Sequence, residues 1–368
     1  MDKEQEASWK ELRRTYDKEG IVLVLGAGVS TGSDIPNWPK LLGRLVKDSI
    51  GSDDGSLFDE MRTKGMSLPT IASILEQGCS NRMEFIERVR EALYRTFCLF
   101  GADIDMASPS NQQKLVRDVC EKNKNPNPTL RAVAGLCVVL ADESKQTYKD
   151  NTEHVRAVVT FNLDSLLQRY VRARFEDYRL LRTIERASKS PDIGEISVYH
   201  MHGLLRFDKK AEDPRREAPD AVVLTEQDYF DFFNDPTSLF NYTFLYLLRE
   251  SSCLFIGLSM QDENIRRLLH YSRTERVRSY VHGGGKDARA RMKALRHFAI
   301  LKHSDSALID SSIEDSLRAL GTRVLWIDNH DKIPAQLGEM YGADWGRVFD
   351  APPYVQESLS SIGISPTG

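Results

Sequence analysis

The chain has few cysteines, no long apolar run and no excess of one charge. Its five cysteines are scattered without a C-x-x-C pair, so we expect free thiols, a reducing compartment and no metal site. No apolar run approaches the roughly 20 residues that span a bilayer, and residues 1–20 lack the apolar centre of a signal peptide. These absences predict a cytoplasmic protein with no membrane segment.

The balance of charges argues against a protein built mainly to bind nucleic acid. The 368 residues contain 50 Lys and Arg against 54 Asp and Glu, which gives a net charge of -4 at pH 7. The aromatic-rich segment 229–246 has no basic residue before Arg249. We interpret it as core and partner-facing surface, and direct nucleic-acid binding through base stacking stays open.

Short apolar runs alternate with helical patterns along most of the chain. Helices are predicted between the strands, for example at residues 165–171, 261–274 and 313–320. This alternation predicts a doubly wound, Rossmann-like α/β fold in which a parallel sheet is covered on both faces. The predicted strands are residues 21–25, 155–160, 196–200, 221–224, 252–257, 298–301 and 322–327.

We predict one large domain, residues 1–335, followed by a C-terminal tail, residues 336–368. Residues 50–150 are predicted to form a mainly helical insertion, because their apolar positions recur at helical spacing. Within this insertion the run TLRAVAGLCVVLADES, residues 129–144, is predicted to be helical. A helix is also expected to begin near Trp38, since proline follows it and suits a first helical turn.

The most informative stretch is IVLVLGAGVSTG, residues 21–32. Its first five residues are typical of a strand buried on both faces, and a glycine-rich turn follows directly. A turn with little side-chain bulk allows backbone N–H groups to approach a pyrophosphate closely. The third glycine of the dinucleotide fingerprint is absent, because Thr31 stands at its position.

Polar residues follow several of the predicted strands at the point where each strand ends. Asn162 and Asp164 follow one strand, His202 follows another, and Ser259 follows a third. Because the carboxyl ends of parallel strands meet at one edge of a sheet, these side chains are expected to line a common site. His200 alternates with His202, so we expect it to point to the opposite face and to be structural.

The order of these motifs resembles the NAD-binding core of the sirtuin family, over roughly residues 15–50 and 150–335. The sequence is most similar to the divergent prokaryotic sirtuin-like domains of anti-phage defence proteins. The motifs are Gly26-Ala27-Gly28-Val29-Ser30 with Ile35-Pro36, Thr160-x-Asn162-x-Asp164, His202-Gly203 and Gly257-x-Ser259. The resemblance implies that NAD is the substrate, that the catalytic residues are Asn162 and His202, and that the NAD-binding residues are Gly26, Ala27, Gly28, Ser30, Thr160, Asp164, Gly257 and Ser259.

The chemistry of the two catalytic candidates agrees with this implication. Cleavage of the nicotinamide–ribose bond passes through an oxocarbenium-like state, as for glycosidic bonds in general. The Asn162 amide can position a water molecule without titrating. The imidazole of His202, with an ordinary pKa near 6.5, can accept a proton from that water or from a ribose hydroxyl.

The sequence departs from the deacetylating sirtuins in two respects. Those enzymes carry a four-cysteine zinc module, for which this chain has no cysteine pairs, and a helical segment stands in its place. Ile35-Pro36 is followed by Asn37-Trp38-Pro39 and not by the acidic-aromatic-arginine run of the deacetylases. We therefore expect water as the acceptor and NAD hydrolysis as the reaction. An NAD-dependent protein deacylase and a non-enzymatic NAD or ADP-ribose-binding regulatory module are the alternatives.

The resemblance also implies a biological setting. Such a hydrolase depletes NAD in an infected bacterial cell and has to be held inactive until infection. We therefore expect a homo-oligomer and a protein partner such as a DNA-translocase-type (HerA-like) ATPase.

Structural roles remain open for several of these residues. Asn162 could cap the helix that follows it, and His202 could be a core histidine bonded to backbone. Asp262 could be a helix N-terminal carboxylate. Arg266 and Arg267 fit surface or interface positions better than phosphate ligands.

Overall fold

A seven-stranded parallel sheet forms the centre of the protein, as seen in a computed structural model. The structure describes residues 3–50, 56–101, 104–120, 126–142, 147–176, 179–184, 194–207, 222–234, 239–283 and 295–340. All neighbouring strands pair in parallel. In spatial order the strands are β5 (Arg182–Ile184), β6 (Ser197–His200), β4 (Val155–Thr160), β1 (Ile21–Leu25), β7 (Ser252–Ile256), β8 (His297–Lys302) and β9 (Thr322–Ile327).

Strand β1 lies in the middle of the sheet, and all five of its residues are buried. It pairs with β4 on one side and with β7 on the other, so the chain builds one half of the sheet and then crosses to build the other. Ligands of doubly wound sheets bind beyond the carboxyl ends of the strands at this reversal. The topology therefore indicates a ligand site at the loops that follow β1, β4 and β7.

Helices cover both faces of the sheet, and the alternation along β1 divides the core into two layers. Ile21, Leu23 and Leu25 pack toward the helices of the insertion, whereas Val22 and Val24 pack toward the helices that follow β6. The predicted doubly wound α/β fold is confirmed. The helices are α1 (Lys3–Glu19), α2 (Trp38–Ile50), α3 (Ser56–Thr63), α4 (Leu68–Gln77), α5 (Arg82–Tyr94), α6 (Pro109–Cys120), α7 (Pro128–Cys137), α8 (Leu166–Phe175), α9 (Glu226–Asn234), α10 (Leu239–Glu250), α11 (Glu263–His282), α12 (Ala307–Arg318) and α13 (Ile333–Gly338).

The segment between β1 and β4 contains helices α2 to α7 and also an antiparallel hairpin of two strands, β2 (Val138–Asp142) and β3 (Thr147–Asp150). The prediction of helix through residues 129–144 was therefore wrong beyond Cys137. The β-branched pair Val138 and Val139 leaves the helix and joins the hairpin ladder instead. The Asn151 amide bonds the Leu136 carbonyl at 2.9 Å, so one of the helix-end carbonyls is satisfied without a further turn.

Two further differences concern extended segments. Residues 222–224 form no strand: the Val223 N–H donates to the His202 carbonyl, and the Leu224 N–H donates to Asp228. These bonds replace the ladder of a strand. Residues 222–224 therefore form a buried loop, although their composition is typical of a strand. The edge strand β5 has only three residues, too few for a period-2 signal in the sequence.

Residues 336–340, the first residues of the predicted C-terminal tail, are packed against the rest of the domain. Leu337 of α13 is fully buried, Met340 is nearly so, and α13 packs against α7. Residues 341–368 of the predicted tail lie outside the described residues. Within the described part of the chain, no helix is both long enough and apolar enough to cross a bilayer.

Candidate active site

The segments that leave the carboxyl ends of β1, β4 and β6 are hydrogen-bonded side by side. The Phe161 N–H donates to the Leu25 carbonyl at 3.0 Å, and the Met201 N–H donates to the Thr160 carbonyl at 2.9 Å. These bonds continue the parallel ladder for one residue past the strands. The first residues after each strand are therefore held at one edge of the sheet, as the sequence predicts.

The glycines after β1 pack against the glycine after β7. The Gly26 N–H donates to the Ile256 carbonyl at 2.9 Å, and the Gly28 N–H donates to the Gly257 carbonyl at 3.0 Å. A Cβ on Gly28 would lie 2.7 Å from the Gly257 Cα atom. These two N–H groups thus donate to carbonyls within the protein and not to a pyrophosphate, so the glycines have a different role from the one that the sequence predicts. They allow the β1 loop (residues 26–33) and the β7 loop (residues 257–260) to touch backbone to backbone.

Ser30 joins the β1 loop to the segment after β4. Its Oγ accepts from the Asn162 Nδ2 at 3.2 Å, and it also hydrogen-bonds the Asp164 carboxyl. The Thr160 Oγ1 accepts from the Asn162 backbone N–H at 3.1 Å. Burial raises the pKa of Asp164, and hydrogen bonds from Leu166 and Ser30 oppose that rise. The structure therefore brings together four of the predicted site residues: Ser30, Thr160, Asn162 and Asp164.

Asn162 is not the cap of the following helix. Ser165 is the N-cap residue of α8 and makes no side-chain capping bond, while the Oδ1 of the preceding Asp164 accepts from the Leu166 N–H at 2.9 Å. The Asn162 side chain instead faces Ser30 and a small cavity with a mixed polar and apolar lining. That cavity measures about 10 Å³, which is room for a single water molecule. Its polar lining is Ser30, Thr160, Asn162, Asp164 and Gln168.

His202 lies in a second group, next to the first. The residue is 9 % exposed, and its ring makes edge contacts with Phe161, 5.0 Å between centroids, and with Tyr229 of α9, 5.6 Å. Burial lowers the pKa of His202, and the Asp262 carboxylate partly opposes that shift. The imidazole is therefore neutral at neutral pH and able to accept a proton. Phe161 directly precedes Asn162, so the two groups adjoin along the chain.

His200 has the structural role that its alternation with His202 predicts. Its Nε2 lies 2.7 Å from the Gln168 Nε2, and its Nδ1 lies 3.2 Å from the Asn162 carbonyl oxygen. Burial lowers the pKa of His200 to about 4. The neutral imidazole thus helps to hold the Asn162 backbone in place through its contact with the Asn162 carbonyl oxygen.

We predict that the buried histidine His200 makes the protein sensitive to acid. The unfolded chain takes up its proton near pH 6.5 and the folded chain only near pH 4, so this stabilising contribution is complete above pH 6.5 and is lost as the pH falls toward 4. The expected loss at pH 5 is about 2 kcal/mol for this one group. Urea unfolding of wild type and His200→Gln at pH 7.5 and pH 5 measures it.

The exposed His270 on α11 provides the control for this prediction. His270→Gln should leave the pH dependence of the unfolding free energy unchanged. His200→Gln should make it shallower by about 2 kcal/mol between the two pH values. An equal pH dependence in wild type and His200→Gln would contradict the assignment.

Asn127 is a residue of the site region that sequence reasoning missed. Its Nδ2 donates to the Val29 carbonyl at 2.8 Å and to the Ser33 Oγ at 3.1 Å, while its Oδ1 caps α7 by accepting from Leu130. The side chain is buried and lies against Gly32, where a Cβ would be 2.9 Å away. The only signal in the sequence was Asn-Pro, which is typical of a helix N-cap and its first turn.

Other candidates have structural roles in the described residues. Asp262 caps α11, since its Oδ1 accepts from the Ile265 N–H at 2.9 Å. Arg266 bonds the Met260 carbonyl and the Ser316 Oγ, and Arg267 bonds Asn264. Ser259 is exposed in the β7 loop. No group of three or more His, Cys, Asp or Glu in the described part of the chain is arranged to hold a metal ion.

Part of the sheet matches a known protein family. Residues 156–325 match the model of the SIR2-like domain, from β4 to β9. The chain contains a SIR2-like domain. No curated protein matches it significantly. The matched segment holds Asn162, His202 and the β7 loop, while the β1 loop lies outside it and is brought to it by the pairing of β1 with β4 and β7.

SIR2-like domains use NAD, so the domain indicates an NAD-related activity. The sirtuin resemblance noted in the sequence is thereby supported by the family match and by the seven-stranded parallel sheet. The insertion of α2 to α7 and the hairpin lies outside the SIR2-like match.

Proposed function

We propose that this SIR2-like protein is an NAD hydrolase that releases nicotinamide and ADP-ribose. One observation carries the proposal: at the reversal of the sheet, a partly exposed amide, Asn162, directly follows Phe161, whose ring contacts the buried neutral imidazole of His202. An amide that can orient water and an imidazole that can accept its proton are the groups that hydrolysis of a glycosidic bond requires.

The reaction balances with one water molecule and no further reactant. The bond between nicotinamide and the ribose breaks, and nicotinamide leaves with the bonding electrons as a neutral molecule. The water oxygen bonds to the ribose carbon, and its proton passes to the Nδ1 or Nε2 of His202 and then to solvent. Asn162 would hold the water, and Ser30 fixes the amide through their hydrogen bond.

The remaining edge residues fit a dinucleotide. Ala27 and Gly28 present partly exposed backbone at the edge, and Ser259 adds an exposed hydroxyl. We assign them with Gly26, Ser30 and Gly257 to the phosphates and ribose, where Gly26 and Gly28 would allow close approach without donating their N–H groups, which bond the β7 side. Thr160 and Asp164 are assigned to the nicotinamide side. The cavity beside Asn162 has room for no more than a water molecule, so the nicotinamide ring would lie on its outer side.

Nicotinamide release from NAD by the purified full chain tests the proposed function. We expect turnover with NAD as the only added reactant. Turnover that requires an acylated peptide would instead establish a protein deacylase. Binding of NAD or ADP-ribose without turnover, undisturbed by His202→Ala, would indicate a regulatory module. Either of those results would overturn the hydrolase.

We further propose a role in bacterial anti-phage defence, with the activity controlled by self-association and by a DNA-translocase-type (HerA-like) ATPase. The support is the resemblance of the β1-loop, Thr160-x-Asn162-x-Asp164 and His202-Gly203 motifs to sirtuin-like domains of defence proteins. Cellular NAD should fall after phage infection in cells that carry the wild-type chain with its neighbouring gene product. It should stay constant in cells that carry the His202→Ala chain.

A further inference from the structure

Arg82 in the helical insertion is hydrogen-bonded to α9, the helix whose Tyr229 contacts His202. Arg82 is the first residue of α5 and reaches three acceptors in three segments. Its guanidinium donates to the Glu76 Oε1 at 2.8 Å, to the Asp228 Oδ2 at 2.8 Å and to the Val222 carbonyl at 2.7 Å. The side chains of Arg82 and Asp228 are only 21 % and 19 % exposed. Charge-assisted bonds with this degree of burial are stronger than surface ion pairs.

Asp228 carries the link into the first turn of α9. Its Oδ2 accepts from the Leu224 N–H at 2.9 Å and from the Thr225 N–H at 2.8 Å, in addition to Arg82. The Asp228 N–H in turn donates to the Thr225 Oγ1 at 3.3 Å, which completes a reciprocal capping arrangement. The α9 N-terminus is therefore held by a carboxylate whose charge Arg82 compensates, in addition to the bonds that join Glu226 to Ser73 and Thr70 of α4.

The same short segment touches His202 twice. The Val223 N–H donates to the His202 carbonyl at 3.1 Å, and the Tyr229 ring lies edge-on to the imidazole at 5.6 Å. Phe161 contacts the same imidazole at 5.0 Å. The two aromatic contacts limit the orientation of the imidazole, and only the Tyr229 contact comes from outside the sheet edge.

We propose that Arg82 is a positioning residue for His202: by fixing α9 it holds Tyr229 against the imidazole, so the helical insertion sets the orientation of the proposed base. The inference rests on the proposed function only for the effect on turnover. The contact chain from Arg82 through Asp228 and Tyr229 to His202 stands on geometry alone. A partner that moves α4 or α5 would act on His202 along this chain.

The titration of the His202 imidazole measures the effect without any substrate. The ionisable groups facing this region are Asp262 from α11, Tyr229 and Asp228 from α9, and Arg82 from α5. Nuclear magnetic resonance of histidine-labelled full chain resolves the eight histidines, and His202→Gln assigns the signal. Arg82→Met should raise the titration midpoint by roughly 0.5 units, because a displaced Tyr229 admits water to the ring.

Kinetics provide the second readout. Arg82→Met should lower kcat for nicotinamide release about tenfold, because a misplaced base reacts poorly, while KM for NAD changes by less than about twofold. Arg82→Lys keeps the charge but cannot reach three acceptors in the same geometry, so it should recover part of both effects. Arg82→Lys also replaces Arg82→Met as the test variant if the latter does not fold.

Two controls separate positioning from general destabilisation. Arg88→Met removes an exposed ion pair with Glu84 on the same helix and should leave the His202 titration unchanged. In a Tyr229→Leu background, Arg82→Met should produce no additional shift, since the contact it transmits is already absent. A His202 titration unaffected by Arg82→Met, or an equal shift in the Tyr229→Leu background, would overturn the proposal. A shifted titration in a protein without NAD turnover would uphold it and reject the hydrolase.

Discussion

His202→Ala and Asn162→Ala should each lower the rate of nicotinamide release by about 10²- to 10⁴-fold. The first removes the imidazole that accepts the proton of the attacking water, and the second removes the amide that orients that water. Because burial lowers the pKa of His202, the wild-type rate should stay on its plateau at pH values below 6.5, where an exposed histidine would already be protonated. Steady-state kinetics of each variant from pH 5 to pH 8 measure both effects.

An exposed histidine and an exposed asparagine provide the controls for these variants. His270 is exposed on α11, and Asn329 is exposed at the carboxyl end of β9, where its side chain bonds Asp331. His270→Ala and Asn329→Ala should retain the wild-type rate. Circular dichroism establishes that the site variants are folded, and His202→Gln is a second variant that leaves a smaller void. Turnover within about twofold of wild type in both site variants would exclude these two residues as the catalytic pair.

Gly257→Ala should destabilise the protein by about 2–5 kcal/mol. Gly257 has a φ of +71°, in the left-handed region that side chains avoid, which accounts for about 1–2 kcal/mol. Its Cβ would also lie 2.8 Å from the Val29 nitrogen and 2.9 Å from the Gly28 Cα atom. Both are backbone atoms, which cannot rotate away, so the β1 and β7 loops must separate. Urea unfolding measures the free energy.

Gly65 isolates the part of this effect that comes from loop contact. It has a φ of +85° and no atom within 4 Å of its Cβ position, so Gly65→Ala pays only for the backbone conformation. The difference between the two variants therefore reports the contact between the β1 and β7 loops. Gly257→Ala should also reduce nicotinamide release, whereas Gly65→Ala should not. Equal destabilisation by the two substitutions would contradict the close approach of the loops.

The sheet could be predicted largely from the sequence because its signals are local. Ile21–Leu25 and Ser252–Ile256 are short apolar runs that stop at a glycine, and burial on both faces gives that composition. The hairpin after Cys137 could not be predicted in the same way. Its first strand, Val138–Asp142, continues an apolar pattern that is equally compatible with a helix, and only pairing with Thr147–Asp150 decides between the two.

The sequence suggested residues for the candidate site but not their contacts. By sequence alone Asn162 could act as a helix cap or as a site residue, since its side chain can accept a bond from the first turn of a helix. In the structure the Asp164 carboxylate accepts from the Leu166 N–H, and Asn162 turns toward Ser30, 132 residues away. Asn127 and Arg82 gave no functional signal, because their partners lie 98 and 146 residues away in the chain.

The sequence by itself therefore determined the parallel sheet and the set of polar residues at its carboxyl edge. These follow from local apolar periodicity and from the geometry common to all parallel sheets. The tertiary structure alone decided that the Gly26 and Gly28 N–H groups bond the strand β7 side of the site, and that an arginine of the insertion reaches the element covering His202. Long-range hydrogen bonds depend on which distant segments of the chain pack together, and local sequence patterns do not specify that packing.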